Sequence, residues 1–322
     1  MSIVVTGGAG FIGSCILRAR NDAGTEDIIV VDHIGDTEKW INIRNKRYRE
    51  YVHKDQFRER LERGEYEGIT AVIHMGACSS TTERDFDYLW SNNVEYSKML
   101  WRYCTDKQIP FLYASSAATY GDGSLGFDDK MDIRLLEPCN GYGYSKQTFD
   151  LWAEKQEAPP QHVGFKFFNV YGPNEYCKGS MASMAYHGYR QIMEKGSVGL
   201  FRSYRPGCPD GGQTRDFIYV KDICDVVMFM MEHREINGIF NVGSGGGYTF
   251  YELAEAVFHA LHMETAVEYI DMPMQLRGKY QYYTKADISK LREAGYTKKF
   301  YDIKAGVEDY VTSYLEKGFA IY

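Results

Sequence analysis

Three side chains in this sequence have the types and spacing for proton transfer at an alcohol or carbonyl. Tyr142 and Lys146 stand four residues apart in YGYSK (142–146), so a helix presents both on one face. Ser116 lies upstream in YASSAATYG (113–121). A phenol works as a base only once ionised, and its ordinary pKa is about 10. A cation beside it stabilises the phenolate and lowers that value. The Ser116 hydroxyl would hydrogen-bond the same substrate oxygen. A tyrosine and a lysine at this spacing arise often by chance, and Tyr144 offers a second phenol in the same segment. The pattern needs a partner motif to carry meaning.

That partner is TGGAGFIG (6–13), in which Gly7, Gly10 and Gly13 have GxxGxxG spacing between a strand and a helix. Gly7 permits a tight turn, Gly10 lets backbone approach a pyrophosphate, and Gly13 allows the helix to pack closely on the strand. The helix start then offers unpaired N–H groups and a positive dipole end to phosphate. Asp32, at the end of the next strand, suits the adenosine ribose hydroxyls and favours NAD. Lys39 and Lys54 would neutralise a 2′-phosphate and favour NADP, so charge alone leaves NADP against NAD open. A bound nicotinamide would add its positive ring to the Lys146 ammonium in stabilising a Tyr142 phenolate.

Positioning these groups requires a parallel sheet. SIVVT (2–6), DIIVVD (27–32), AVIH (71–74), FLYAS (111–115) and VGFKFFNV (163–170) read as buried strands. Helical stretches lie between them at 55–64, 84–107 and 143–157. Continuous apolar strands alternating with helices predict an α/β, Rossmann-type, doubly wound parallel sheet. Ser116 then sits just past the carboxyl end of a strand, where open α/β sheets bind ligands. Beyond Asn169 the rhythm changes, and residues 171–217 carry Pro173, Pro206, Pro209 and a glycine-rich patch, a loop-rich substrate region. DFIYVKDICDVVMFMME (216–232) reads as a helix and GIFNVGSG (238–245) as a strand returning to the sheet. The expected division is residues 1–170 plus about 216–245 for the dinucleotide, and 171–215 plus 246–322 for a smaller C-terminal substrate-binding lobe.

Composition narrows the function class. The 322 residues carry 37 Lys and Arg against 44 Asp and Glu, a net charge of −7, which argues against nucleic acid or an anionic membrane as partner. No apolar run approaches the ~20 residues of a membrane span. The glycine motif starting at Thr6 leaves no room for a signal peptide ahead of it, so a cytoplasmic location is expected. Seven scattered cysteines, none spaced as CxxC, predict free thiols and no metal site.

TGGAGFIG, SSAATYG and YGYSK together resemble the extended short-chain dehydrogenase/reductase superfamily of nucleotide-sugar enzymes. HMGACSSTTERD (74–85), FFNVYGPNE (167–175), KGSMAS (178–183), RDFIYVKD (215–222) and LRGKYQYYTKAD (276–287) narrow the likeness to the ADP-L-glycero-D-manno-heptose 6-epimerase family. The resemblance implies that Tyr142 and Lys178 are opposed acid/bases, supported by Lys146 and Ser116. It implies cofactor contacts from Phe11, Ile12, Asp32, His33, Lys39, Lys54, Met75, Gly76, Ala77, Cys78, Ser79, Asn92, Lys146, Val170 and Lys178, and tilts the cofactor to NADP. Substrate contacts would come from Ser116, Asn169, Ser180, His187, Phe201, Arg215 and Tyr280. An ADP-heptose substrate and a homo-oligomer, a pentamer in that family, are implied as well. The loop SYRPGCPDGGQTRDF (203–217) is longer and richer in Gly and Pro than the family's, and His33 stands where the family often has Asn.

Read singly, several of these residues have plainer roles. Lys178 as a loop lysine would be solvated, Arg215 would pair with Asp216, and Cys78 would be a small buried hydrophobe. Two other functions fit parts of the pattern. A UDP-hexose 4-epimerase shares the Ser/Tyr/Lys set, and a non-catalytic dinucleotide sensor would keep the glycines without the chemistry. A 4,6-dehydratase needs an acidic pair after the serine strand, where this chain has Ala117, Ala118 and Thr119.

Overall fold

The computed structural model describes residues 1–277 and 280–322, with Gln275 and Leu276 described by backbone alone. Gly278 and Lys279, within LRGKYQYYTKAD, lie outside the described residues. In chain order the elements are β1 (Ser2–Thr6), α1 (Phe11–Asp22), β2 (Ile28–Asp32), β3 (Glu50–His53), α2 (Lys54–Glu62), β4 (Ile69–His74), α3 (Phe86–Leu89), α4 (Tyr96–Lys107), β5 (Phe111–Ser116), α5 (Gly141–Ala153), β6 (His162–Phe167) and β7 (Asn169–Tyr171). They continue with α6 (Met184–Lys195), β8 (Val198–Phe201), β9 (Thr214–Arg215), β10 (Phe217–Tyr219), α7 (Val220–Glu232), β11 (Gly238–Val242), β12 (Tyr248–Thr249), α8 (Phe250–Ala260), β13 (Val267–Ile270), α9 (Met274–Arg277), α10 (Ser289–Glu293) and α11 (Ile303–Tyr310).

Seven parallel strands form one sheet in the order β11-β6-β5-β4-β1-β2-β3. The strand order reverses between β1 and β4, which opens a crevice at their carboxyl ends. This is the Rossmann-type doubly wound architecture expected. β1 and β2 are buried at every residue because helices cover both faces. Ile3 and Val5 join a core with Cys15, Ile16 and Leu17 of α1 and Val226 and Met230 of α7. Val4, Ile29 and Val31 point the other way, onto Phe57 of α2, Leu100 and Trp101 of α4 and Phe149 of α5.

Trp101 centres that second layer, edge-on to Phe111, Phe149 and Trp152, with its indole N–H donating to the Glu157 carbonyl at 2.9 Å. Trp101→Ala is expected to cost about 3–5 kcal/mol of stability, measured by urea unfolding, because it empties a tightly packed site and removes a hydrogen bond to the Glu157 carbonyl.

Several sequence expectations need correcting. The run 163–170 is two strands in different sheets: Phe168 N donates to Val242 O and Asn169 N to Asp216 O, which moves the chain from β11 to a parallel pairing of β7 with β10. Residues 216–232 are not all helix, because Phe217–Tyr219 form β10, as aromatic and β-branched residues favour. The strand at 238 stops at Val242, ahead of a glycine turn in which Gly245 has φ +71°. The loop-rich stretch holds a full helix, α6, and β8 paired with β13. The edge strand β3 escaped notice because Val52 alone of its four residues is buried. The 84–107 helix is α3 and α4 joined by a π-helical turn over Trp90–Glu95.

Candidate active site

The glycine loop closes between β1 and α1. Gly7 has φ +64°, and a Cβ there would meet Gly76 N at 2.6 Å. A Cβ on Gly13 would lie 2.1 Å from Gly7 O. Gly10 caps α1 with no side chain, which leaves the helix start open to an anion. Gly13→Ala is therefore expected to displace the loop and abolish dinucleotide binding, read by fluorescence titration with NADPH; unchanged affinity would rule out a phosphate cradle here.

Asp32 is buried at the end of β2, with Ala9 N donating to Oδ2 at 2.9 Å and His33 N donating to Oδ1 at 2.7 Å. Lys39 Nζ pairs with the same Oδ1 at 2.8 Å. Asn42, which sequence reasoning passed over, donates to Ala9 O and Asn174 O, both at 3.1 Å, and so ties the glycine loop to the segment leading to Lys178.

One cavity of about 350 Å³ runs along the crevice. Its lining includes Gly7, Gly10, Phe11, Ile12, Gly13, Asp32, Lys39, Met75, Gly76, Ala77, Ser79 and Val170, together with Ser116, Tyr142, Lys146 and Lys178. A smaller cavity of about 150 Å³ adjoins it past Asp32, lined by His33, Lys39, Lys54, Asn92, Tyr88 and Tyr96 among others. Lys54 Nζ is 3.1 Å from Asp55 Oδ1, and His33 Nδ1 is 2.8 Å from His53 Nε2. Cys78 is not among the lining residues. Its backbone exchanges hydrogen bonds with Asn93, N–H to Oδ1 at 2.8 Å and O from Nδ2 at 3.0 Å, and burial pushes its thiol pKa up, away from thiolate reactivity.

At the chemical end, α5 starts at Asn140, whose side chain accepts from Gly143 N at 2.8 Å, and carries Tyr142 and Lys146 into the cavity. The Ser116 hydroxyl oxygen accepts from Ala118 N at 3.1 Å, leaving its O–H to donate to the Tyr142 phenol. Lys146 Nζ donates to Ala114 O at 2.8 Å. Burial lowers the Lys146 pKa to about 8, opposed by Asp150. Burial also holds the Tyr142 phenol above its usual value, with Ser116 pulling it down. That departs from the expectation of a lowered value: burial of the phenol outweighs the Ser116 hydrogen bond. Asp150, one turn beyond Lys146, accepts from Ser115 Oγ at 2.6 Å and Tyr113 OH at 3.1 Å, clamping β5 to α5 behind Ser116.

Lys178 follows β7 on a short 3-10 segment, with Nζ 5.3 Å from the centre of the Phe11 ring. Burial pushes its pKa down and Glu175 opposes that shift. The expected substrate residues are more dispersed. Asn169 and Ser180 are exposed, and His187 is half-buried on α6 beside the Tyr186 ring. Phe201, Arg215 and Tyr280 do converge: the rings of Phe201 and Tyr280 are 6.2 Å apart, and the Arg215 guanidinium lies 5.0 Å from the Tyr280 ring. Asp216 turns away and accepts from Ser244 N and Oγ, Gly245 N and Ala286 N. Arg215 is buried and forms no ion pair among the described residues, so the plain reading of an Arg215–Asp216 bridge is set aside.

Residues 3–243 match the model of the NAD dependent epimerase/dehydratase family. The chain belongs to that family. Proteins named ADP-L-glycero-D-manno-heptose-6-epimerase are similar to it throughout. That of Nitratidesulfovibrio vulgaris (strain DP4) is 52% identical, covering 97% of each chain. That of Fusobacterium nucleatum is 49% identical, covering 98% of each. The solved Helicobacter pylori ADP-L-glycero-D-manno-heptose-6-epimerase superposes with a TM-score of 0.80 at 26% identity, covering 97% of this chain and 95% of that one. A member of the NAD dependent epimerase/dehydratase family works with a nicotinamide dinucleotide. The uncapped start of α1 and the glycines that cannot carry a Cβ fit that group. Among the described residues no helix is long and apolar enough to cross a membrane.

Proposed function

We propose that the protein inverts C6″ of ADP-D-glycero-β-D-manno-heptose to give ADP-L-glycero-β-D-manno-heptose, using NADP. The observation that carries this reading is that the glycine cradle, Ser116, Tyr142, Lys146 and Lys178 all line one cavity. The names of the relatives at 49–52% identity supply the sugar.

A nicotinamide dinucleotide held by the glycine cradle and Asp32 would supply reversible hydride transfer at C6″. Tyr142 removes the hydroxyl proton, Ser116 holds the oxygen, and Lys146 supports the phenolate. Lys178 is the second acid/base, delivering a proton to the oxygen when the sugar presents its other face. Asp32, His33, Lys39 and Lys54 would hold the adenosine ribose and its 2′-phosphate, which is the basis for NADP over NAD. Phe201, Arg215 and Tyr280 would hold the nucleotide, since a buried guanidinium with its forked donors suits a diphosphate. The division into residues 1–170 plus 216–245 and 171–215 plus 246–322, a cytoplasmic homo-oligomer, and a role in making the lipopolysaccharide inner core belong to the same proposal.

Proton NMR of ADP-D-glycero-β-D-manno-heptose incubated with the purified protein tests it. The C6″ epimer should accumulate to equilibrium. Inversion of UDP-glucose instead, with the heptose untouched, would transfer the assignment to a UDP-hexose 4-epimerase.

A further inference from the structure

Glu175 lies in the segment between β7 and α6 that carries Lys178, and it is completely buried. Its carboxyl accepts from three donors. Gly172 N donates to Oε1 at 3.2 Å, Ser183 Oγ donates to Oε1 at 2.7 Å, and Ser183 N donates to Oε2 at 2.6 Å. Ser183 Oγ has no freedom in this, because its lone pair caps α6 by accepting from Tyr186 N at 3.2 Å, so its proton goes to Glu175. Donors on both oxygens stabilise the carboxylate and oppose the burial that raises its pKa. Gly172 and Ser183 flank Lys178 on either side, and Lys178 N donates to Glu175 O at 3.0 Å. One buried carboxylate thus ties together both ends of the loop that carries the lysine.

We propose that Glu175 is the positioning residue for Lys178: it closes the 172–183 loop so that the ammonium faces Tyr142 across the cavity, and its negative charge keeps that ammonium protonated. This rests on Lys178 being the second acid/base. The groups facing Glu175 are Lys178 and Tyr176 on its own loop, Ser183 at the start of α6, Tyr310 of α11 and Cys15 of α1. Of these Lys178 alone is a cation. Burial raises the Glu175 pKa while the Ser183 and Gly172 donors and Lys178 oppose it, and burial lowers Lys178 while Glu175 opposes that. Buried opposite charges stabilise one another's ionised forms. An acid that delivers a proton loses activity as pH rises through its own pKa, so Glu175 would set the basic limb of the pH–rate profile.

The test is Glu175→Gln, with Glu175→Asp as the charge-retaining control and Lys178→Met as the second background. Glutamine keeps the shape but removes the charge. The expected result is a fall in kcat of tenfold or more with KM little changed, and a basic limb moved down by about one pH unit. Glu175→Asp should return the limb most of the way. In the Lys178→Met background Glu175→Gln should add no further loss, as residues acting through one another do. A basic limb that stays in place in Glu175→Gln, or an equal loss in both backgrounds, overturns the proposal. If Glu175→Gln does not fold, Ser183→Ala removes one clamp and must slow turnover and shift the same limb to support it; an unmoved limb overturns it. Full turnover by Lys178→Met would remove the second acid/base itself, whereas a crippled Lys178→Met beside an unshifted Glu175→Gln would remove this inference alone.

Discussion

Tyr142→Phe is expected to lower kcat by about a thousandfold or more, roughly 4 kcal/mol of barrier, with dinucleotide binding retained. The variant removes a single oxygen. Ser116 Oγ keeps its bond from Ala118 N, and Lys146 Nζ keeps its bond to Ala114 O, so the neighbourhood stays built. What disappears is the group that takes the hydroxyl proton. Burial holds the phenol above its usual pKa while the Ser116 hydrogen bond opposes that shift, and in the proposed mechanism Lys146 and a bound coenzyme would add to the stabilisation of the phenolate. NMR turnover and an NADPH titration on the same preparation separate chemistry from binding. Turnover within tenfold of wild type would dismiss Tyr142 as the base.

Lys178→Met carries the second large effect, a loss of about a hundredfold to a thousandfold in kcat. Methionine preserves an unbranched stem against the Phe11 ring and removes the ammonium. Lys178→Arg should not rescue it, because a guanidinium does not give up its proton near neutrality. A solvated surface lysine would tolerate both changes, so recovery in the arginine variant would return Lys178 to that plainer role.

The glycine cradle and the Tyr142–Lys146 pair were legible because their geometry is local. Three glycines within seven positions govern one turn, and two residues one helical turn apart share a face whatever the rest of the chain does. The buried strands of the sheet were legible for a related reason, since a strand covered on both faces reads as a continuous apolar run. β3 and β10 were not, because one is an edge strand with a single fully buried residue and the other is three residues running straight into a helix. Asn42 and Asp150 left no sequence signal, and Glu175 stood in FFNVYGPNE with no role legible, as a buried polar residue looks like a surface one until its partners are known.

By itself the sequence determined the cradle, the Tyr142–Lys146 pair on one helix face and the strand–helix rhythm of the doubly wound sheet, all products of spacing over a few residues. The tertiary structure alone decided that Lys178 shares a cavity with Tyr142, that Asp216 turns away from Arg215, and that the phenol of Tyr142 is pushed up by burial. Those outcomes depend on how much water distant segments exclude and which donors they bring, and neither quantity is carried by the order of residues along one stretch of chain.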